Sequence, residues 1–127
     1  MKVTTGVDMI EVDRIKKAIE EIGEPFLNRI YTENEIEYCN QTEKMRYQHY
    51  AARFAAKEAV FKALSTMING REDSLWKEIE VINNKDGKPE INLKLLNKGK
   101  LNNLKSIDIS ISHLKDYAIA SVVAMFE

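Results

Sequence analysis

FAAKEAVFK, residues Phe54 to Lys62, sets a carboxylate and an ammonium group among aromatic rings and alanines on what reads as a buried helix. On an ideal helix Glu58 lies four residues from Phe54 and three from Phe61, so its direction falls between two rings that face the interior. An ionised carboxylate taken out of water costs several kcal/mol unless a cation or hydrogen bonds compensate. Two partners are open to it. Lys62, four residues on, makes an ordinary helix ion pair worth about 0.2–0.5 kcal/mol. Alternatively a divalent cation shared with a second acid takes Glu58, and Lys62 is left to meet an anion; magnesium suits such a site because it binds one or two carboxylates and completes its shell with water and phosphates.

Outward from this segment the helical pattern runs from about Glu43 to Ser65. Tyr47, Ala51, Phe54, Phe61 and Leu64 cover one broad side, and Ala56, Ala59 and Ala63 form a small-residue stripe opposite, so both sides can pack. Upstream, Val3 to Val12 reads as a strand with Val3, Thr5, Val7 and Met9 on one face and Gly6, Asp8 and Ile10 on the other. Gly6 lets a second backbone or a ligand come close, and Asp8 beside it is the candidate second acid, although an aspartate at a strand end also serves as a plain cap. A helix is predicted from Asp13, carried by Val12, Ile15, Ile19, Ile22 and Phe26 and interrupted by Gly23 and Pro25. Thr32-Glu33-Asn34-Glu35 has the spacing of a capping box and opens a short helix toward Cys39.

Downstream, Met67 to Ser74 reads as a loop. Glu78 to Asn83 and Glu90 to Leu95 read as strands around Asn84-Lys85-Asp86-Gly87-Lys88-Pro89, and a short helix is placed around Leu93 to Leu104. Ile107 to His113 and Tyr117 to Phe126 alternate as a second hairpin through Leu114-Lys115-Asp116. Helices first and hairpins later, without regular strand-helix-strand alternation, predict an α+β domain, a largely antiparallel sheet packed on a long helix. No repeat, low-complexity stretch or linker divides the 127 residues, so one domain over 1–127 is expected.

Composition narrows the function. The net charge is -1, without the basic excess that nucleic-acid binding calls for, and no run of roughly 18 apolar residues is present to span a bilayer. The amino terminus reaches Asp8 and Glu11 too soon to provide the apolar core of a secretion signal, and the single cysteine, Cys39, agrees with a reducing compartment, so a cytoplasmic location is expected. Cys39 is read as a packing residue, with a lone reactive thiol as the other reading.

Four motifs then stand in order: Gly6-Val7-Asp8, Arg53-Phe54-Ala55-Ala56-Lys57-Glu58-Ala59 with Lys62, Asp86-Gly87-Lys88-Pro89, and Ile109-Ser110-Ile111-Ser112-His113. Together with Arg29-Ile30-Tyr31-Thr32-Glu33 and the closing Tyr117-Ala118-Ile119-Ala120, this order resembles the holo-acyl-carrier-protein synthases, the short bacterial branch of the 4'-phosphopantetheinyl transferases. The resemblance implies a magnesium enzyme that moves 4'-phosphopantetheine from coenzyme A to a serine of apo acyl carrier protein and releases adenosine 3',5'-bisphosphate, in support of fatty acid biosynthesis. By resemblance Asp8 and Glu58 are the metal ligands and Lys62 meets the pyrophosphate. Arg53, Gly87, Lys88, Pro89, Ser110, Ser112 and His113 contact coenzyme A. The acid that larger relatives carry two residues after the first is Ile10 here, so water and the pyrophosphate must complete the shell.

For the serine proton, a metal-bound water or Glu58 acting through water is one base and His113 the other candidate. His113 also reads as a hydrogen-bonded strand-end histidine, and His49 reads as structural. The acidic carrier is expected on the first helix through Arg14, with Lys17 as the weaker contact; Glu20, Glu21 and Glu24 make the rest of that helix acidic, which brings Lys44 and Arg46 in as further docking residues. The family's homotrimer is expected as well, and the two packable sides of the long helix are compatible with it. The rival readings are a non-catalytic oligomeric module that binds nucleotide or a carrier protein, and a structural subunit in which Glu58 and Lys62 merely pair.

Overall fold

The computed structural model describes residues 1–67, 76–93 and 101–127. The chain opens with β1 (Lys2–Glu11) and passes directly into α1 (Val12–Ile22), whose first N–H, on Val12, donates to the Asp116 carbonyl at 2.9 Å. At Gly23, with φ 79, the helix ends, and α2 (Glu24–Ile30) starts anew with proline in its first turn. The interruption foreseen at Gly23 and Pro25 thus separates two helices. Ile22, read as part of the buried stripe, lies beyond the packing contact and is exposed.

α3 (Glu33–Asn40) carries the expected capping box: the Thr32 hydroxyl accepts from the Glu35 N–H, and the Glu35 carboxylate accepts from the Thr32 N–H. α4 (Arg46–Leu64) follows, beginning a few residues after the predicted Glu43, and both of its sides are buried within the protomer. Among the described residues there follow a 3-10 turn (Trp76–Glu78), β2 (Ile79–Asn83), β3 (Pro89–Leu93), β4 (Leu104–His113) and β5 (Tyr117–Phe126). The predicted loop over 67–74 and helix over 93–104 fall for the most part outside the described residues.

Among the described residues two antiparallel sheets form, β1-β5-β4 and the β2-β3 hairpin. The inner face of the larger sheet, with Gly6, Ala118, Ala120, Val122 and Ala124, lies under α4. At Gly6 the crossing is so close that an added Cβ would stand 2.0 Å from the Ala59 carbonyl oxygen and 2.9 Å from the Ala63 nitrogen. The glycine and the alanine stripe therefore determine each other: two backbones meet where neither element has a side chain to separate them.

A buried charge cluster ties the hairpin to the helices. Lys57, fully buried, donates to the Trp76 and Ile79 carbonyls at 2.8 and 2.6 Å and lies 2.8 Å from Glu35 Oε1. These three acceptors match the three protons of an ammonium group. Burial pushes the Lys57 pKa down, and the Glu35 carboxylate opposes that shift. Glu35 Oε2 accepts from the Val81 N–H at 2.8 Å, and the Thr32 hydroxyl donates to Glu80 at 2.5 Å. Beside the cluster, the Trp76 ring stacks on Phe54 at 5.0 Å and meets Phe61 edge-on at 5.1 Å, pairs worth about 0.5–1.5 kcal/mol each. Cys39 is fully buried, and burial lifts its thiol to about 12, which suits the packing role rather than a nucleophile.

Candidate functional site

Asp8 and Glu58 line one cleft of about 370 Å³ between β1, α1, α2 and α4. The β1 alternation turns Asp8 to the same face as Gly6, and Glu58 sits half-buried on the flank of α4 beside Phe54. Arg14 of α1 opens onto the same cleft, and Ile15, Phe26 and Phe54 give it an apolar wall. Lys62 does not wait free beside Glu58: its ammonium donates to the Val7 carbonyl at 2.9 Å and lies 3.3 Å from Asp8 Oδ1. Among the described residues no group of three or more His, Cys, Asp or Glu side chains gathers to hold a metal. Two carboxylates beside an open cleft fit magnesium, which takes few protein ligands and the rest from water and phosphate.

A second cleft, of about 200 Å³, lies between α3, α4, the β2–β3 turn and β4. Arg53, Gly87, Pro89 and His113 line it, together with Tyr38 and His49. Gly87, at φ 83, makes the turn possible, and Asn84 Oδ1 holds it by accepting from the Asp86 and Lys88 N–H groups. The Arg53 guanidinium lies 4.0 Å over the Tyr38 ring and donates to Asn83 Oδ1 at 2.6 Å, and the Asn83 amide in turn donates to the Gly87 carbonyl at 2.9 Å. Arg53 Nε and His49 Nδ1 are both buried without a hydrogen-bond partner. The pKa of His49 is pushed down, chiefly by burial and then by the charges of Arg53 and His113. His49, read from the sequence as structural, therefore lines the cleft; its place four residues before Arg53, on the same flank of the helix, is the signal that finds it.

The two clefts are separate within one protomer. Glu58 stands five residues after Arg53, which turns them about 140° apart around α4. Across the sheet, Asp8 pairs with Ala120, which pairs with Ile111, and Ile10 pairs with Ala118, which pairs with His113. The rows that end in Asp8 and in His113 thus reach opposite edges, two strand spacings or about 10 Å apart. Ser110 and Ser112 are not in this cleft: on β4 they alternate with Ile109 and Ile111 and stand on the exposed outer face. Lys88 is at the rim, 3.7 Å from Asp108, with both side chains largely in solvent.

Of the docking residues, Lys17 pairs with Asp13 at 3.0 Å, and Arg46 donates to the Tyr47 hydroxyl at 2.9 Å and lies 4.8 Å over its ring. Arg14 is the basic residue of α1 that shares the cleft with the two acids.

Residues 4–122 match the family model of the 4'-phosphopantetheinyl transferase superfamily. The chain is 45% identical over 125 residues to the holo-[acyl-carrier-protein] synthase of Ruminiclostridium cellulolyticum, covering 97% of this chain and 92% of the relative. A second relative of that description, from Dehalococcoides mccartyi, is 48% identical over 122 residues, covering 94% of this chain and 96% of the relative. Among solved structures, a Chronobacterium ammoniagenes ACPS–CoA complex superposes with a TM-score of 0.84 at 28% identity, covering 100% of this chain and 99% of that one. A Helicobacter pylori holo-[acyl-carrier-protein] synthase in complex with coenzyme A gives 0.77 at 31% identity, covering 95% and 99%. With its mixed helices and antiparallel sheets, the chain belongs to the 4'-phosphopantetheinyl transferase superfamily, and its similarity to the holo-[acyl-carrier-protein] synthases runs over nearly its whole length.

Proposed function

We propose that the protein transfers the 4'-phosphopantetheine group of coenzyme A to a serine of apo acyl carrier protein, releasing adenosine 3',5'-bisphosphate, as a magnesium-dependent step in support of fatty acid biosynthesis. The supporting observation is that Asp8 and Glu58, far apart in sequence, line one cleft together with a basic residue, Arg14. The two carboxylates would hold the ion, which would supply charge neutralisation at the pyrophosphate linkage as it breaks and adenosine 3',5'-bisphosphate leaves. Lys62, close to Asp8, reaches a pyrophosphate oxygen, and Glu58 acting through a water takes the serine proton. Arg53 and His113 hold the nucleotide end in the second cleft. A cytoplasmic location goes with this reading and with a free, buried cysteine.

Incubation with coenzyme A, magnesium and an apo carrier protein, followed by mass spectrometry of the carrier, is expected to show the added phosphopantetheine group. An unchanged carrier, with several carriers tried, rejects the reading.

The reading includes a homotrimer with sites completed between protomers. The support is twofold: the two clefts lie on opposite flanks of α4, and the outer face of the larger sheet exposes Val3, Val7, Met9, Tyr117, Ile119 and Val123. Both sides of α4 are covered within the protomer, so this sheet face, rather than the helix, is the surface assigned to the neighbour. Sedimentation equilibrium is expected to give three times the 14.6 kDa chain mass, and Val7→Lys is expected to lower it; a wild-type monomer contradicts the assembly.

Arg14→Ala is expected to raise the KM for the carrier roughly five- to tenfold, about 1–1.4 kcal/mol, and to leave that for coenzyme A unchanged. The wild-type carrier KM is expected to climb with salt. Equal losses for both substrates in steady-state kinetics would remove Arg14 from docking.

A further inference from the structure

His113 Nδ1 lies 2.8 Å from the side-chain oxygen of Gln48, one helix turn before Ala52 and Arg53 on α4. With the amide oxygen as partner, which only accepts, the contact is a hydrogen bond when Nδ1 carries the proton. In a neutral imidazole the other nitrogen, Nε2, then carries the lone pair. The partner is also uncharged, whereas a carboxylate there would favour the imidazolium. Two further observations make this more than a strand-end hydrogen bond. First, His113 lines the second cleft, and its ring is met edge-on by that of His49 at 5.7 Å. Second, that cleft is already built for an incoming ligand: Arg53, only 4% exposed, is aimed by Tyr38 and Asn83 and keeps its Nε unpartnered.

We propose that Gln48 is a positioning residue that fixes His113 in the Nδ1–H tautomer and so presents Nε2 to the nucleotide end of coenzyme A as an acceptor, able to take up a proton when a phosphate arrives. The proposal rests on the reading of the second cleft as the coenzyme pocket. Among the described residues, the ionisable groups that line the cleft beside His113 are Tyr38 from α3 and His49 and Arg53 from α4; the β2–β3 turn brings Asn83, Gly87 and Pro89, and β5 brings Ala118 opposite His113, none of which titrates. Burial first, and then Arg53 and His113, push the pKa of His49 down, which disfavours a proton there.

The test is imidazole nitrogen NMR of the whole protein, free and with adenosine 3',5'-bisphosphate. Wild type is expected to show Nδ1 protonated at His113 and Nε2 bare, and Gln48→Met is expected to lose this preference and bind the bisphosphate roughly tenfold more weakly. Gln48→Glu, which keeps an acceptor in place, is expected to retain the tautomer and to move the pH midpoint of the His113 signals and of bisphosphate binding upward by about one unit. A bare Nδ1 in wild type, an unchanged tautomer in Gln48→Met, or an unmoved midpoint in Gln48→Glu overturns the role of Gln48. Failure of the pocket reading looks different: His113→Ala then binds the bisphosphate as wild type does, while the tautomer signals of the free protein still decide what Gln48 does.

Discussion

Asp8→Ala and Glu58→Ala are each expected to leave a folded protein that transfers phosphopantetheine at least about a thousandfold more slowly than wild type. The size follows from the chemistry assigned to the pair: losing a carboxylate ligand to the ion removes several kcal/mol of charge stabilisation at the leaving group, and each 1.36 kcal/mol is tenfold in rate. The fold is expected to tolerate both. Asp8 forfeits a single ion pair with Lys62, whose side chain is half exposed, and alanine is the residue a helix accepts best at position 58. Glu58→Gln separates charge from shape and is expected to fall with Glu58→Ala. Single-turnover transfer assays beside circular dichroism check this; near-normal rates in either alanine variant would remove that residue from the proposed ion site.

The largest stability effect is expected at Gly6→Ala. One methyl group there would sit 2.0 Å from the Ala59 carbonyl oxygen, a backbone atom that cannot rotate away, so β1 and α4 must part along their crossing. Parting them uncovers the alanine stripe and the inner face of the sheet together, and the expected loss exceeds about 4 kcal/mol, the range reserved for such backbone conflicts. Urea unfolding measures it. A midpoint close to wild type would show that strand and helix do not cross as described. Gly23 and Gly87 offer a contrast, because there nothing crowds the missing side chain and only the positive φ argues for glycine.

Much of this architecture was legible in the sequence because its causes are local. The capping box at Thr32 and Glu35, the Asn84–Pro89 turn and the alternation of β4 and β5 are each written within a few residues. The alternation of β1, with glycine and aspartate on one face, already paired the close crossing with the candidate acid. What was not legible depends on partners distant in the chain. Lys57 is an ordinary helix lysine by pattern, and only the return of β2 past α3 surrounds it with Glu35 and two carbonyls. Lys62 faced two local readings, an ion pair with Glu58 or an open anion site, and the fold gives it Asp8 instead, since β1 crosses the helix at that level. The serines of β4 show the opposite case. The family resemblance set them against the coenzyme, whereas within a protomer they alternate with Ile109 and Ile111 and stand on the outer face.

The central claim is that Asp8 and Glu58 hold one divalent ion under the pyrophosphate of coenzyme A. Crystals grown with coenzyme A and manganese in place of magnesium test it through anomalous scattering. The expected map has one strong peak about 2.1 Å from an oxygen of each carboxylate and from pyrophosphate oxygens. Bound coenzyme A with no peak between the two acids, in a protein that modifies its carrier in solution, would contradict the account.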